Sequence, residues 1–264
     1  MRSRITLVAH RGYSGIAPEN TLAAFAEALD RGYRHIEFDV QLTKDGVPVI
    51  IHDVTLDRTT NGSGAIKDYT IDEIKKLDAG SWFDARFKDQ SVPSLLEVLI
   101  MLRNQAHIHI ELKSNEPELP TKVAELLEDT GWLKAKKLTG FVTKMRGPEV
   151  IISSSDRTLI LRSQQLLPLP VVHELIVEKV TDESLEWTAS NGLYSYHPDA
   201  NDVTPDLIKK GKKLHLHIGA WWWDPAEQDI RTIKGARYAF VDSPDTHRSN
   251  LQLLLATNRR LRRQ

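Results

Sequence analysis

The sequence predicts an α/β protein whose parallel strands close into a (β/α)8 TIM barrel. Short apolar strands alternate with amphipathic helical stretches from one end of the chain to the other. The length, 264 residues, suits the roughly 250 residues that eight strand–helix units occupy. One barrel domain over residues 1–264 therefore accounts for the chain, and a single turn signal, Asp45-Gly46, explains a strand beyond the eight.

Residues 5–9 open the barrel as a strand. Residues 21–29 (TLAAFAEAL) carry apolar side chains at helical spacing behind Glu19-Asn20-Thr21, where Asn20 is read as a helix cap rather than a catalytic group. Further strands are expected at 35–42, 47–52, 107–112, 149–154, 169–175, 192–197, 213–219 and 236–242, and helices over 120–132, 204–213 and 224–235. The ninth strand belongs to a hairpin, because Asp-Gly is the strongest short turn signal. With Asp45 and Gly46 as the two central turn residues, Asp39 faces His52 and Gln41 faces Ile50. Glu37, Asp39 and His52 then project on one face, and Ile36, Phe38 and Val40 on the other.

Composition excludes several classes of function. A formal net charge of −1 argues against a nucleic-acid partner. Zero cysteines remove disulfides, thiolate catalysis and zinc–thiolate sites, leaving oxygen and imidazole chemistry. MRSRITLVAH lacks the apolar stretch of a signal peptide, and no segment reaches the roughly 18 apolar residues of a membrane span. A cytoplasmic protein is expected.

The chemistry gathers at strand ends. LVAHRG finishes an apolar strand on a titratable ring beside a fixed cation, an arrangement suited to an anion. Two carboxylates as close as Glu37 and Asp39 repel one another unless a cation joins them. In HIHIELKS, His109, Glu111 and Lys113 alternate with apolar residues, so Glu111 emerges near the strand's C-terminal end, the active mouth of such barrels. Glu111 completes an oxygen cage with Glu37 and Asp39 for one divalent cation, Mg²⁺ or Ca²⁺, with Mn²⁺ also permitted. Lys113 is placed to hold a phosphate oxygen.

His10-Arg11-Gly12, Pro18-Glu19-Asn20-Thr21, Glu37-Phe38-Asp39, Thr43-Lys44-Asp45-Gly46, His52-Asp53 and Glu111-Leu112-Lys113 occur in the order and spacing of the glycerophosphodiester phosphodiesterases, a family the chain resembles. The likeness is dense to about residue 113; LDRTTNGSG (56–64), LDAGSWF (77–83), Ser153-Ser154 and Val241-Asp242-Ser243-Pro244-Asp245 extend it. It implies a small insertion after the second-strand hairpin, at about residues 53–93. It also implies catalytic histidines His10 and His52, metal ligands Glu37, Asp39 and Glu111, and phosphate contacts Arg11 and Lys113. The implied reaction splits glycerophosphodiesters such as glycerophosphocholine or glycerophosphoethanolamine into glycerol 3-phosphate and an alcohol. Where relatives carry Trp-Thr, this chain has Ile218-Gly219-Ala220 and then Trp221-Trp222-Trp223. The three tryptophans follow a strand and are expected at the mouth, where their faces attract a quaternary ammonium group.

Two other readings compete. His107-x-His109 and His215-x-His217 have the spacing of zinc-dependent barrel metallohydrolases, and a catalytically silent barrel would bind phosphodiesters without cleaving them. His109 is expected to flank the metal cage, with His107 and His217 packed or facing solvent. The tail, residues 256–264 with four arginines behind LQLLL, reads as the end of a docked helix rather than a stable membrane anchor. Nothing in the sequence ranks oligomeric states.

Overall fold

Period-two alternation and helical periodicity divide the chain into alternating strands and helices. The computed structural model describes residues 5–133 and 148–247; the arginine-rich tail lies outside the described residues. The first half contains β1 (Thr6–Ala9), α1 (Leu22–Asp30), β2 (His35–Leu42), β3 (Pro48–Ile50), α2 (Ile71–Ile74), α3 (Leu95–Leu102), β4 (His107–Leu112) and α4 (Leu119–Asp129). The second contains β5 (Val150–Ser154), α5 (Arg157–Leu166), β6 (Val172–Ile176), α6 (Asp182–Ser190), β7 (Ser195–His197), α7 (Pro205–Lys213), β8 (His217–Ile218) and β9 (Tyr238–Val241).

Among the described residues, eight strands pair in parallel in the order β8-β7-β6-β5-β4-β2-β1-β9, and β3 joins β2 antiparallel. Across the remaining seam, Arg237 N–H donates to Ile218 O (2.6 Å) and Phe240 N–H to Ala220 O (3.0 Å), so the barrel is nearly closed. Ile36, Phe38 and Val40 of β2 and Ile108, Ile110 and Leu112 of β4 pack outward with α1, α3 and α4 in the main core. The alternate residues therefore face the lumen, where Val8, Ile151, Tyr238 and Phe240 form an inner apolar cluster. A separate core of Val49, Ile51, Leu56, Ile66, Ile74, Ala79 and Val92 supports the segment that follows the hairpin.

Three expectations are corrected. The hairpin loop has three residues, Lys44-Asp45-Gly46, closed by Thr43 N–H to Val47 O (3.1 Å) with Gly46 left-handed at φ +72°. Val40 therefore pairs with Ile50 and Gln41 with Val49, one residue out of the expected register. The strand expected at 213–219 shrinks to two residues because α7 runs through Lys213; Leu214 caps it and His215 turns left-handed at φ +59°. Leu216 N–H then bonds back to Gly211 O (2.8 Å). The helix expected over 224–235 is only a 3-10 turn at Pro225–Glu227 with turns behind it. There Asp224 Oδ1 accepts from Ala226 N–H (2.8 Å) and Asp229 Oδ1 from Arg231 N–H (2.9 Å), local bonds that compete with a helix.

Candidate active site

β1 stops at its His-Arg-Gly because two successive left-handed residues turn the chain: Arg11 at φ +54° and Gly12 at φ +81°. A Cβ on Gly12 would lie 2.7 Å from Ala24, so α1 packs against bare backbone. The turn aims Arg11 N–H at Glu37 Oε2 (2.9 Å). Arg11 accepts an otherwise costly conformation, and its backbone donor is spent on a buried carboxylate.

Sheet register assembles the acidic residues. β2 and β4 pair Asp39 with Glu111 and Glu37 with His109, so the three carboxylates share one end of the lumen. One oxygen from each of Glu37, Asp39 and Glu111 lies within 4.8 Å of the others, a spacing that ligands of one oxygen-bound cation can have. Glu37 and Asp39 are almost fully buried, and Glu37 Oε1 and Asp39 Oδ1 make no hydrogen bond. Unpaired buried carboxylate oxygens are costly, so this trio fits a metal ion and can hold one. Burial beside Asp39 and Glu111 pushes the Glu37 carboxyl well above its usual range. Burial acts the same way on Asp39, but Arg11, His52, Lys113 and a hydrogen bond from Asn20 outweigh it and hold Asp39 low.

Asn20 is not the helix cap. Thr21 is, accepting from Ala24 N–H, while Asn20 turns left-handed (φ +58°) and donates Nδ2–H to Asp39 Oδ2 at 2.8 Å. Arg11 Nε lies 3.4 Å from the same oxygen, and Arg11 NH1 donates to Glu19 Oε1 (2.8 Å). Lys113 Nζ donates to Glu111 Oε1 (3.0 Å) inside the cavity, not in a surface pair. Burial favours its neutral form; Glu111 and Asp39 outweigh that and keep it an ammonium.

Each of the two predicted histidines leans on an aspartate. His10 Nδ1 lies 2.8 Å from Asp242 Oδ1, which also accepts from Ser14 Oγ (2.9 Å), while Asp242 Oδ2 accepts from Gln228 Nε2 (3.0 Å). Burial and Arg11 lower the His10 pKa, but Asp242 and Glu37 outweigh them and raise it above 6.5. His52 Nδ1 lies 2.7 Å from Asp53 Oδ1. His52 does not oppose Asp39; Ile51 does, through Ile51 N–H to Asp39 O (3.1 Å). A slip of one residue would send His52 to the outer face had the strand continued. Instead the chain leaves the sheet, and Gln41 Nε2 bonds the carbonyls of Ile51, His52 and Asp53, returning His52 to the cavity.

That cavity, about 730 Å³, opens at the strand C-termini and collects His10, Arg11, Glu37, His52, Glu111 and Lys113. All three tryptophans line it, with different burdens. Trp222 is buried in the main core, Trp221 donates Nε1–H to His197 O (3.1 Å), and Trp223 is 69% exposed with its ring 4.7 Å from that of Trp221. Trp82 and Phe83 face them from the segment after the hairpin.

The paired histidines of the zinc reading do not meet a metal cage. His107 Nδ1 donates to Pro148 O (2.7 Å), and His215 lies outside the strand of His217. His109 sits one pleat below Glu111, with Nε2 3.2 Å from His35 Nδ1 and Nδ1 3.9 Å from Glu174 Oε2. Glu174, unsuspected in the sequence, is fully buried; it accepts from Ser195 Oγ (2.5 Å) and lies 3.3 Å from His197 Nε2. Burial opposes its charge, yet His197 and His109 hold it below the usual carboxylate range. Among the described residues, the acidic trio is the group that could hold a metal.

A barrel mouth with guanidinium and ammonium groups beside two carboxylate-backed imidazoles is that of an α/β-barrel hydrolase of phosphate esters. The glycerophosphoryl diester phosphodiesterase family model matches residues 10–246, and the chain belongs to that family, a family of enzymes. It is 37% identical over 242 residues to the glycerophosphodiester phosphodiesterase of Caldanaerobacter subterraneus subsp. tengcongensis, covering 91% of this chain and 95% of the relative. The crystal structure of an Agrobacterium tumefaciens glycerophosphodiester phosphodiesterase superposes with a TM-score of 0.74 at 31% identity, over 91% of this chain and 97% of that one. An Oleispira antarctica phosphodiesterase, solved with its product sn-glycerol-3-phosphate, superposes with a TM-score of 0.81 at 27% identity, over 94% and 96% of the two chains.

Proposed function

We propose that the protein hydrolyses glycerophosphodiesters to glycerol 3-phosphate and an alcohol, with His10 and His52 as the acid–base pair. The observation that carries this reading is the convergence in one cavity of two aspartate-backed imidazoles with Arg11, Lys113 and the Glu37–Asp39–Glu111 trio. The relative holding sn-glycerol-3-phosphate supports the product.

Arg11 presents a planar fork to two phosphate oxygens and Lys113 a point charge to a third, offsetting charge that grows in the transition state. One imidazole takes the proton of the glycerol 2-hydroxyl as it attacks phosphorus, and the other gives a proton to the departing alcohol. A cyclic phosphate results. Water then opens it as the two imidazoles exchange roles, since an imidazole can both accept and donate a proton close to neutral pH. Asp53 and Asp242 hold each ring by Nδ1, leaving Nε2 for the substrate. Glu37, Asp39 and Glu111 would hold a divalent ion, Mg²⁺, Ca²⁺ or Mn²⁺, which when bound supplies Lewis-acid charge neutralisation.

The alcohol half of the substrate lies toward Trp221 and Trp223, whose faces suit the trimethylammonium of glycerophosphocholine. Among the described residues no helix is long and apolar enough to cross a membrane. The reading keeps small diesters as substrates and the cytoplasm as the site of action, which fractionation of the expressed protein checks. The direct test incubates purified protein with glycerophosphocholine and each divalent ion, with and without EDTA, and measures glycerol 3-phosphate. Release that His10→Ala and His52→Ala abolish supports the reading; no release with any ion overturns it in favour of a silent binding barrel.

A further inference from the structure

Arg58 stands in the loop behind His52 and lines the cavity. Its guanidinium is committed twice. Nε and NH2 donate to Asp53 Oδ2 and Oδ1 (2.7 and 2.9 Å), and NH1 and NH2 donate to Glu19 Oε2 and Oε1 (2.8 Å each). Asp53 holds His52 Nδ1, and Glu19 holds Arg11 NH1. An unbroken chain of charged hydrogen bonds thus runs His52–Asp53–Arg58–Glu19–Arg11. It ties together two groups that arrive on different elements, His52 behind β3 and Arg11 behind β1.

The two arginines are not equivalent. Arg11 NH2 makes no hydrogen bond among the described residues, whereas both forks of Arg58 are filled by carboxylates. A guanidinium so occupied grips no phosphate without giving up one fork. Stability is an equally poor explanation. Arg58 is 43% exposed, and an exposed ion pair contributes about 0 to 1 kcal/mol, more where bidentate pairs form a network as here; yet Glu19 and Asp53 each keep a second partner, Arg11 and His52, without it. Placement matters more, since a misplacement of about 1 Å at a reacting group costs roughly 10²-fold in rate.

We propose that Arg58, acting through Asp53 and Glu19, is a positioning residue that sets the His52 imidazole relative to the Arg11 guanidinium, so that proton transfer and phosphate grip share one geometry. The inference rests on the hydrolytic reading above. It gives the loop after the hairpin a function in the site: it supplies the cation that joins two carboxylates, each of which already holds a group of the site.

The test compares wild type with Arg58→Ala, Arg58→Lys and Glu19→Gln, measuring kcat, KM and melting temperature on glycerophosphocholine. Arg58→Ala is expected to lower kcat roughly 10²-fold with little change in melting temperature. Arg58→Lys keeps the charge without the double fork and should fall between. Guanidinium chloride at millimolar concentration, against equal sodium chloride, should restore part of the kcat of Arg58→Ala, because the vacated site opens on the cavity. Combining Arg58→Ala with Glu19→Gln should cost little more than the larger single loss, as two parts of one bridge do. A kcat within about threefold of wild type overturns the proposal. So does a loss that follows a fall in melting temperature and resists guanidinium. If wild type itself releases no glycerol 3-phosphate from any glycerophosphodiester, the hydrolytic reading fails instead. The bridge is then decided by NMR of the His52 Nδ1 proton: protection from exchange that Arg58→Ala removes supports it, and protection unchanged in Arg58→Ala overturns it.

Discussion

Replacing Asp242 by Asn removes one negative charge from behind His10 and almost no volume. In the native site His10 Nδ1 and Ser14 Oγ converge on Asp242 Oδ1, and Gln228 Nε2 donates to Oδ2. If Asn keeps its oxygen toward His10, its amide nitrogen meets the Gln228 donor. Gln228 cannot simply flip, because its Oε1 accepts from the backbone N–H of residue 242 (3.1 Å). A hydrogen bond to a charged partner contributes about 1.5 to 3 kcal/mol, so the imidazolium of His10 should hold its proton less tightly. The sign is fixed by the native state: Asp242 raises the His10 pKa, so the variant lowers it. Whichever step His10 performs, its limb of the kcat–pH profile moves toward lower pH, and kcat at the new optimum falls roughly 10²- to 10⁴-fold as ring orientation is lost.

The same variant carries a stability signature. Burial opposes ionisation of Asp242, but His10, Ser14 and Arg11 outweigh it and bring its pKa from 3.8 to about 2. A lowered acid pKa stabilises above its unfolded value and ceases to do so as pH falls through its folded value; that contribution is roughly 2 kcal/mol, lost between about pH 4 and pH 2. The raised pKa of His10 stabilises fully below 6.5 and stops as pH rises through its folded value. Urea denaturation should therefore separate Asp242→Asn from wild type most between about pH 4 and 6.5, with the gap narrowing on both sides. A kcat–pH profile that stays in place, together with a pH-independent stability gap, would refute the pairing of His10 with Asp242.

Asp39→Asn should weaken binding of Mg²⁺, Ca²⁺ and Mn²⁺ in calorimetric titration about 10-fold or more, through loss of a ligand charge; unchanged affinity would place the ion elsewhere. Trp222→Ala should destabilise the fold by about 3 to 5 kcal/mol, because that ring is core. Trp223→Ala should spare the melting temperature and raise KM for glycerophosphocholine relative to glycerophosphoethanolamine roughly two- to five-fold, the size of an exposed cation–π contact. Equal KM ratios in wild type and variant would remove Trp223 from head-group recognition. Gly12→Ala should lower stability by about 2 to 5 kcal/mol, combining left-handed strain with a clash against Ala24, as denaturant titration can measure.

Alternation was legible because it is local. A strand that reads Ile36-Glu37-Phe38-Asp39-Val40 places both acids on one side whatever surrounds it, and Ile110-Glu111-Leu112 does the same. Once parallel order is assumed, those two strands become neighbours, and the acidic trio follows from their pairing. Register was less legible. Asp45-Gly46 marks a turn equally well in two- and three-residue loops, and the difference of one residue inverts every face beyond it. Lys213-Leu214-His215-Leu216-His217 alternates like a strand, yet helix α7 claims the first of these residues and its C-terminal turn the next two.

What the amino-acid sequence determined by itself was the alternation of strands with helices, the polar side of β2 and β4, and the chemical types gathered at strand ends. Those depend on periodicities of a few residues. Only the tertiary structure decided that Asn20 serves Asp39, that Gln41 returns His52 to the cavity, that Asp242 reaches His10 across 232 positions, and that Arg58 joins Asp53 to Glu19. Each is a polar contact between elements whose distance is set by barrel closure, and no local pattern encodes how far apart closure leaves them.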